Sequence, residues 1–302
     1  MPPLLRSLRP RQWTKNLVVF AGLVFSGQVL GAGTLDGYSP ALAAFWAFLA
    51  FCAASSAVYL VNDVLDRERD RLHPVKRLRP IASGQVAPRP ALGLAALLAA
   101  AAVAASLLLA RPAAGPVAAY LALQLAYSLR LKHVVLLDVF CIAAGFLLRV
   151  LAGVWAIDVP LSPWLVACSV QLALFLALCK RKAELVALDQ EAPDQRPLLA
   201  EYDGPGLDVM VAIVASATVV TYGLYTLLPG ALLSLDVEIE SQAGRPGMVW
   251  TFPFVLYGVL RYLHLVYQKE RGQRPERLLI EDRPLLLAIL GYAAVVAVVL
   301  YR

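Results

Sequence analysis

Apolar runs close to the length that crosses a bilayer recur along almost the whole chain, and they decide what it can become. Nine are visible: residues 17–31, 41–61, 91–110, 113–129, 134–157, 163–179, 209–229, 247–268 and 284–301. A hydrocarbon core offers no water to backbone amides, so such runs fold as helices that satisfy their own N–H and C=O groups. The expected fold is all-α and integral to the membrane, with about nine transmembrane helices in one domain spanning 1–302. The 302 residues are 60% hydrophobic and 16% charged, which excludes disorder, collagen and a disulfide scaffold. Cys52, Cys141, Cys168 and Cys179 all lie inside apolar runs and form no C-x-x-C pair, so they read as small core hydrophobes. His73, His133 and His264 are scattered and no H-E-x-x-H occurs, so any metal must be held by oxygen.

The basic residues orient these helices. Of the 27 lysines and arginines, 22 fall on the N-terminus and on alternate connections, three on the other side and two, Arg149 and Arg261, inside spans. Cytoplasmic loops carry this excess, so the N-terminus is expected inside the cell and the C-terminus outside, in a bacterial inner membrane. Sixteen of the 21 acids share the cytoplasmic face, which is where function is expected. The net charge of +6 would suit nucleic acid, but topology and anionic lipid account for it, and no nucleic-acid partner is expected. The basic start, short apolar stretch and Gly31-Ala32-Gly33 imitate a cleaved signal peptide. Cleavage would remove a cationic stretch with chemistry to perform, so the segment is expected to stay. The connection 180–208, with Pro193 and Pro197, is expected to be a loop with a short helix.

Chemistry concentrates after the second run, at Asn62-Asp63-Val64-Leu65-Asp66-Arg67-Glu68-Arg69-Asp70, of the form N-D-x-x-D-x-x-x-D. In a continuing helix Asn62, Asp66 and Asp70 repeat at i, i+4 and i+8, with Asp63 three before Asp66, so one face presents four oxygen ligands. Clustered carboxylates repel unless a cation or basic partners compensate them. Mg²⁺ shared with substrate phosphates suits this donor set, because it takes a few carboxylates and completes its shell with water and phosphate oxygens. The bland alternative is a solvated helix end paired with Arg67, Arg69 and Arg71. Lys76-Arg77-Leu78-Arg79-Pro80 follows closely, and Lys76 and Arg79 are placed to clamp phosphate oxygens.

Nine helices with Asn62-Asp63-x-x-Asp66-x-x-x-Asp70 and then Lys76-x-x-Arg79-Pro80 resemble the UbiA superfamily of intramembrane prenyltransferases over essentially the whole chain. The resemblance implies an all-helical protein around a central cavity open to the cytoplasm and laterally to lipid, with Mg²⁺ at two aspartate-rich motifs holding a diphosphate. The second motif there is D-x-x-x-D. Here Tyr127-Ser128-Leu129-Arg130-Leu131-Lys132-His133-Val134-Val135-Leu136-Leu137-Asp138 offers one aspartate together with a tyrosine and a lysine. That exchange favours a second anionic group over more metal, and so two phosphorylated substrates.

This variant resembles the phosphoribosyltransferase branch of the superfamily, which moves phosphoribose from 5-phosphoribosyl 1-diphosphate (PRPP) to a polyprenyl (decaprenyl) phosphate. Arg9-Pro10-Arg11-Gln12-Trp13-Thr14-Lys15-Asn16 is similar to its R-P-x-Q-W-x-K-N start, and Phe146-Leu147-Leu148-Arg149 with Ala152-Gly153 to its F-L-x-R-x-x-A-G helix. Lys180-Arg181 with Glu184, Arg261-Tyr262, Pro275-Glu276 and Asp282 match more loosely. The resemblance implies Mg²⁺-diphosphate on Asn62, Asp63, Asp66 and Asp70, phosphate on Lys76 and Arg79, and an opposite wall of Tyr127, Lys132 and Asp138. Lys15, Lys180 and Arg181 are candidates for the second phosphate, with Glu184 orienting Arg181 or Lys180. Arg149, inside an apolar run, is expected to line the cavity or to pair structurally. A polyprenyl phosphate is already ionised at neutral pH, so no general base is needed, in keeping with the absence of a Ser-His-Asp constellation. Rival readings are a prenyl diphosphate donor alkylating an aromatic or haem-type acceptor, which would gain from the missing second D-x-x-x-D, an anion transporter, and a scaffold. A homo-oligomer is compatible with all of them.

Overall fold

The computed structural model describes residues 2–30, 38–188, 201–202, 204–228, 247–269 and 275–301. Gly31-Ala32-Gly33 and the stretch with Pro193 and Pro197 lie outside the described residues, as do the side chains of Pro275 and Glu276. Among the described residues regular structure is helical and no strand forms. In chain order the helices are α1 (Pro3–Ser7), a 3₁₀ helix (Pro10–Phe20), α2 (Ala21–Phe25), α3 (Pro40–Leu65), α4 (Arg67–Leu72), α5 (Pro88–Leu109), α6 (Ala114–Leu129), α7 (Leu137–Ala156), α8 (Pro163–Leu188), α9 (Gly204–Leu227), α10 (Phe252–Lys269), α11 (Pro275–Glu281) and α12 (Arg283–Tyr301), with shorter 3₁₀ turns between them. Seven described helices are long and apolar enough to cross a bilayer: α3, α5, α7, α8, α9, the stretch Met248–Gln268 and α12. The chain is a multi-pass membrane protein.

The two other apolar runs are helical but form shorter single elements than these seven. Run 17–31 is the end of the 3₁₀ helix followed by the five residues of α2. A 3₁₀ helix rises ~2.0 Å per residue, so its eleven residues reach about 22 Å where α geometry would reach about 16 Å. Run 113–129 becomes the 16 residues of α6, about 24 Å long and short of a ~30 Å hydrocarbon core.

Helix starts follow local chemistry. Ser39 accepts the Leu42 N–H at 3.3 Å and Pro40 opens α3, where a missing N–H costs nothing. Asp282 accepts the Leu285 N–H at 3.0 Å at the start of α12. The α8 helix runs nine residues past the expected end of its apolar run. Lys180 and Arg181 sit one turn before Glu184, and these pairs support the helix into the connection where a loop with a short helix was expected.

The chain divides into two compact units, one of Met1–Lys132 with Gly145–Val159 and the other of His133–Ala144 with Pro160–Arg302. The boundary falls inside α7. In the first unit α3 packs on α5, α6 and the 3₁₀ helix. The seam is alanine-rich: Ala47, Ala50, Ala54 and Ala57 on α3 and Ala91, Ala95 and Ala102 on α5 are buried, so the backbones approach closely. In the second unit α8 packs on α9, and α10 on α12. Leu97, Leu108, Ile213 and Leu287 remain well exposed, as lipid-facing side chains are in a chain viewed without its bilayer.

Candidate active site

The first unit gathers the aspartate motif on a break in the helix. The α3 helix ends at Leu65, and Asp66 leaves helical geometry at φ −89° and ψ 3° before α4 begins. Helical hydrogen bonds continue through the break, from Asp66 N–H to Asn62 O at 2.9 Å and from Asp70 N–H to Asp66 O at 2.8 Å. The break divides the carboxylates, contrary to the single ligand face expected of an unbroken helix. Asp63 and Asp70 turn inward, at 2% and 3% exposure, while Asp66 stays half-buried.

Three bases hold these three acids. Arg79 Nη1 donates to Asp70 Oδ2 at 2.5 Å and lies 3.1 Å from Asp63 Oδ1. Arg9 Nη2 donates to the same Asp63 oxygen, and Lys132 Nζ reaches Asp66 Oδ1 at 2.7 Å. The chain returns Arg79 to α3 and α4 through a compact turn in which Val86 N–H bonds Pro80 O at 3.0 Å, Arg71 Nε holds Ala82 O at 3.1 Å and Ile81 is fully buried. Asn62 is partly buried beside this group, and Lys76 is partly exposed on the same turn.

Arg9 was not singled out by charge or spacing, yet it occupies the centre of this arrangement. Its backbone is left-handed, at φ 52° and ψ 56°, which costs a non-glycine residue about 1 kcal/mol. Its guanidinium lies 4.9 Å from the centre of the Tyr59 ring as well as on Asp63. The rest of the Arg9–Asn16 motif is fixed to α3. Trp13 Nε1 donates to Ser56 Oγ at 3.0 Å, and Asn16 Nδ2 to Ser55 Oγ at 3.3 Å. Lys15 is partly exposed between these anchors.

Arg149 shares this anchoring. It is 6% exposed, and its guanidinium donates to Asn16 Oδ1 at 2.8 Å, Gly145 O at 2.6 Å and Tyr120 OH at 3.0 Å, with the Tyr120 ring centre 4.5 Å away. Gly153, a turn further along α7, has no side chain because the Val19 carbonyl occupies the place of its Cβ.

The second unit holds a separate cluster. Asp138 is fully buried in the first turn of α7, where Arg181 Nε donates to Oδ2 at 2.7 Å and Tyr202 O–H to Oδ1 at 2.7 Å. Arg181 Nη1 also reaches Glu184 Oε2 at 2.5 Å, and Lys180 Nζ lies 4.0 Å from Glu184 Oε1. Tyr202 OH accepts the Leu136 N–H at 2.9 Å, and Leu136 has φ +66°. Burial, helped by the hydrogen bond to the Asp138 carboxylate, pushes the Tyr202 phenol up to about 12. Tyr202 lies within the charged connection 180–208 with no periodic neighbour, so its place on Asp138 had no signal in the sequence. Arg261, the other arginine inside an apolar run, pairs through two hydrogen bonds with Asp282, at 3.1 and 2.8 Å.

The donor set suits a hard divalent cation only in part. The oxygens are of the right kind, but among the described residues no three acidic, histidine or cysteine groups converge to hold one ion. A Mg²⁺ ion taking one or two of these carboxylates, with phosphate and water oxygens completing its shell, fits what is present. Tyr127 is half-buried near the end of α6.

Comparison with known proteins gives near-full-length relatives. The decaprenyl-phosphate phosphoribosyltransferase of Mycolicibacterium smegmatis is 36% identical over 99% of this chain and 92% of its own length. The protein of that name from Mycobacterium tuberculosis is 35% identical over 97% of this chain and 92% of its own length. Among solved structures, a UbiA homolog from Archaeoglobus fulgidus bound to GPP and Mg²⁺ superposes with a TM-score of 0.70 at 18% identity, covering 98% of this chain and 99% of that one. The profile of the UbiA prenyltransferase family matches residues 19–281, which reach into both units. The chain belongs to the UbiA prenyltransferase family.

Proposed function

We propose that this protein transfers 5-phosphoribose from PRPP to a decaprenyl or similar polyprenyl phosphate in a Mg²⁺-dependent reaction that releases pyrophosphate. The observation that carries this reading is the near-full-length identity, 32–36%, to three bacterial proteins named for that transfer. The composition of the site supports it: Lys132 stands on Asp66, where a further carboxylate would serve a second metal-diphosphate motif.

A phosphate oxygen of the lipid forms the bond to ribose C1 while the bond from C1 to the diphosphate oxygen breaks, and pyrophosphate leaves with the electron pair. The attacking oxygen is already ionised, so the protein's work is alignment and charge compensation. In this reading Asn62, Asp63, Asp66 and Asp70 would hold the Mg²⁺-diphosphate, with Mg²⁺ taking one or two of the carboxylates, and the ion would supply charge compensation for the pyrophosphate leaving group. Arg79, Lys76 and Arg9 contact its oxygens. Lys132 and Tyr127 face the reacting groups, and Lys15, Lys180 and Arg181 take the remaining phosphate, with Glu184 orienting Arg181. Arg149 holds the 3₁₀ helix in place through Asn16 and does not touch substrate. The site opens to the cytoplasm of a bacterial inner membrane, with the N-terminus on that side and the C-terminus outside.

The test is label transfer. Purified protein with Mg²⁺, radiolabelled PRPP and a polyprenyl phosphate is expected to move label into the organic phase, and Asp66→Asn to abolish transfer in a folded protein. Consumption of a prenyl diphosphate against an aromatic acceptor, with no label moved from PRPP, would replace the substrates and keep the fold.

A further inference from the structure

Tyr202 is 3% exposed, and both functions of its hydroxyl are occupied: it accepts the Leu136 N–H at 2.9 Å and donates to Asp138 Oδ1 at 2.7 Å. Asp138 is fully buried, and its other oxygen receives Arg181 Nε at 2.7 Å. A carboxylate held this way, with a donor on each oxygen and no exposed surface, is poorly placed to bind metal or phosphate itself. It is well placed to set the plane of a guanidinium, because Nε and Nη1 of Arg181 are fixed by Asp138 and Glu184. The chain of fixation begins at Leu136, whose left-handed backbone at φ +66° directs its N–H to the phenol.

We propose that Tyr202 is a positioning residue for Arg181, acting through Asp138, and that Asp138 serves the reaction by orienting Arg181 without touching substrate. The arrangement has the form used around metal-bound and phosphate-bound side chains, where an outer partner fixes the orientation of the group that makes the contact. The proposal rests on the assignment of Arg181 to a substrate phosphate.

The test uses the full chain in detergent and compares wild type with Tyr202→Phe, Arg181→Lys and the double variant. Tyr202→Phe keeps the ring and removes only the hydroxyl. It is expected to raise the KM for one phosphorylated substrate about tenfold, with kcat changed less than about twofold. Arg181→Lys is expected to raise the KM for the same substrate, and the double variant to be no worse than the more impaired single one, because both act through one group. Unchanged KM values in Tyr202→Phe, or additive losses in the double variant, would overturn the proposal. A Tm lowered with unchanged KM values would assign the phenol a structural role alone, which also overturns it. Calorimetric binding of inorganic pyrophosphate and of a short polyprenyl phosphate separates failure of this proposal from failure of the proposed reaction. Equal affinities of wild type and Tyr202→Phe for both probes reject the positioning role even where transfer occurs. Weakened binding of either probe, in a protein that moves no phosphoribose, supports the positioning role and rejects only the choice of substrates.

Discussion

Gly153→Ala adds one methyl group at a place where the backbone of a neighbouring segment already stands. The added Cβ would lie 1.7 Å from the Val19 carbonyl oxygen, 2.7 Å from its carbon and 3.2 Å from Val19 Cα. All three are backbone atoms, so no rotamer change relieves the overlap, and α7 and the 3₁₀ helix must separate by roughly 2 Å to restore ordinary contact. That movement would stretch the 2.8 Å bond from Arg149 Nε to Asn16 Oδ1 beyond hydrogen-bonding range. A lost bond to a charged group costs about 1.5–3 kcal/mol, and overpacking about 1–3 kcal/mol more. The gain from replacing glycine with alanine inside a helix returns about 1 kcal/mol. A net destabilisation of about 1.5–5 kcal/mol is expected, and thermal unfolding in detergent should show it as a Tm lowered by roughly 3–20 °C. Gly93→Ala is the control, since nothing lies within 4 Å of a Cβ there and the change should be neutral or stabilising by up to ~1 kcal/mol. A Gly153→Ala protein that unfolds within about 2 °C of wild type, or a control that falls as far, would refute the close approach of these backbones.

Arg79→Gln removes the one base that bridges buried Asp63 and Asp70, and should destabilise the protein by about 3–5 kcal/mol as measured by chemical or thermal unfolding. Added Mg²⁺ should raise the Tm of this variant more than that of wild type; equal shifts would argue against the acids as its ligands. Arg149→Lys loses the planar fork that serves Asn16, Gly145 and Tyr120 together, and a Tm decrease equivalent to about 2 kcal/mol is expected, with no change in KM. The Tyr202 phenol sits at about 12 in the folded protein against an ordinary 10.0, so the neutral form is favoured by folding. Its contribution is therefore complete below pH about 10 and disappears as pH rises through about 12; the stability difference between wild type and Tyr202→Phe should shrink over that interval, and a difference constant to pH 12 would contradict it.

The sequence was most legible where one physical demand dominates a long segment. Seven apolar runs are long apolar helices because lipid allows little else, and the acids of the motif from Asn62 to Asp70 gather basic partners because they cannot stand together without them. It was less legible where tertiary contacts decide. The run at 17–31 has the composition of a span, and hydropathy does not reveal that Trp13 and Asn16 tie the chain just before it to α3 or that its early part winds as a 3₁₀ helix. Hydropathy alone would end α8 near Cys179, whereas ion pairs one turn apart continue it to Leu188. The division of the three aspartates depends on a backbone break at Asp66 that no spacing reveals. Arg9 and Tyr202 act through left-handed residues, Arg9 itself and Leu136, neither of them the glycine that would advertise such a turn.

On the proposed assignment of metal and diphosphate to this cluster, the pairing of Asp63, Asp66 and Asp70 with Arg9, Arg79 and Lys132 makes ligand entry a double exchange. A divalent cation arriving alone would take carboxylates from their bases and strand positive charge, and an anion arriving alone would draw the bases away and strand negative charge. When both arrive, every ion leaves one partner for another, and the group passes from one compensated state to the next. Each ligand therefore raises the affinity for its companion by the same factor, as linkage requires. A site built in this way discriminates against free metal and free diphosphate without a side chain dedicated to rejecting either one.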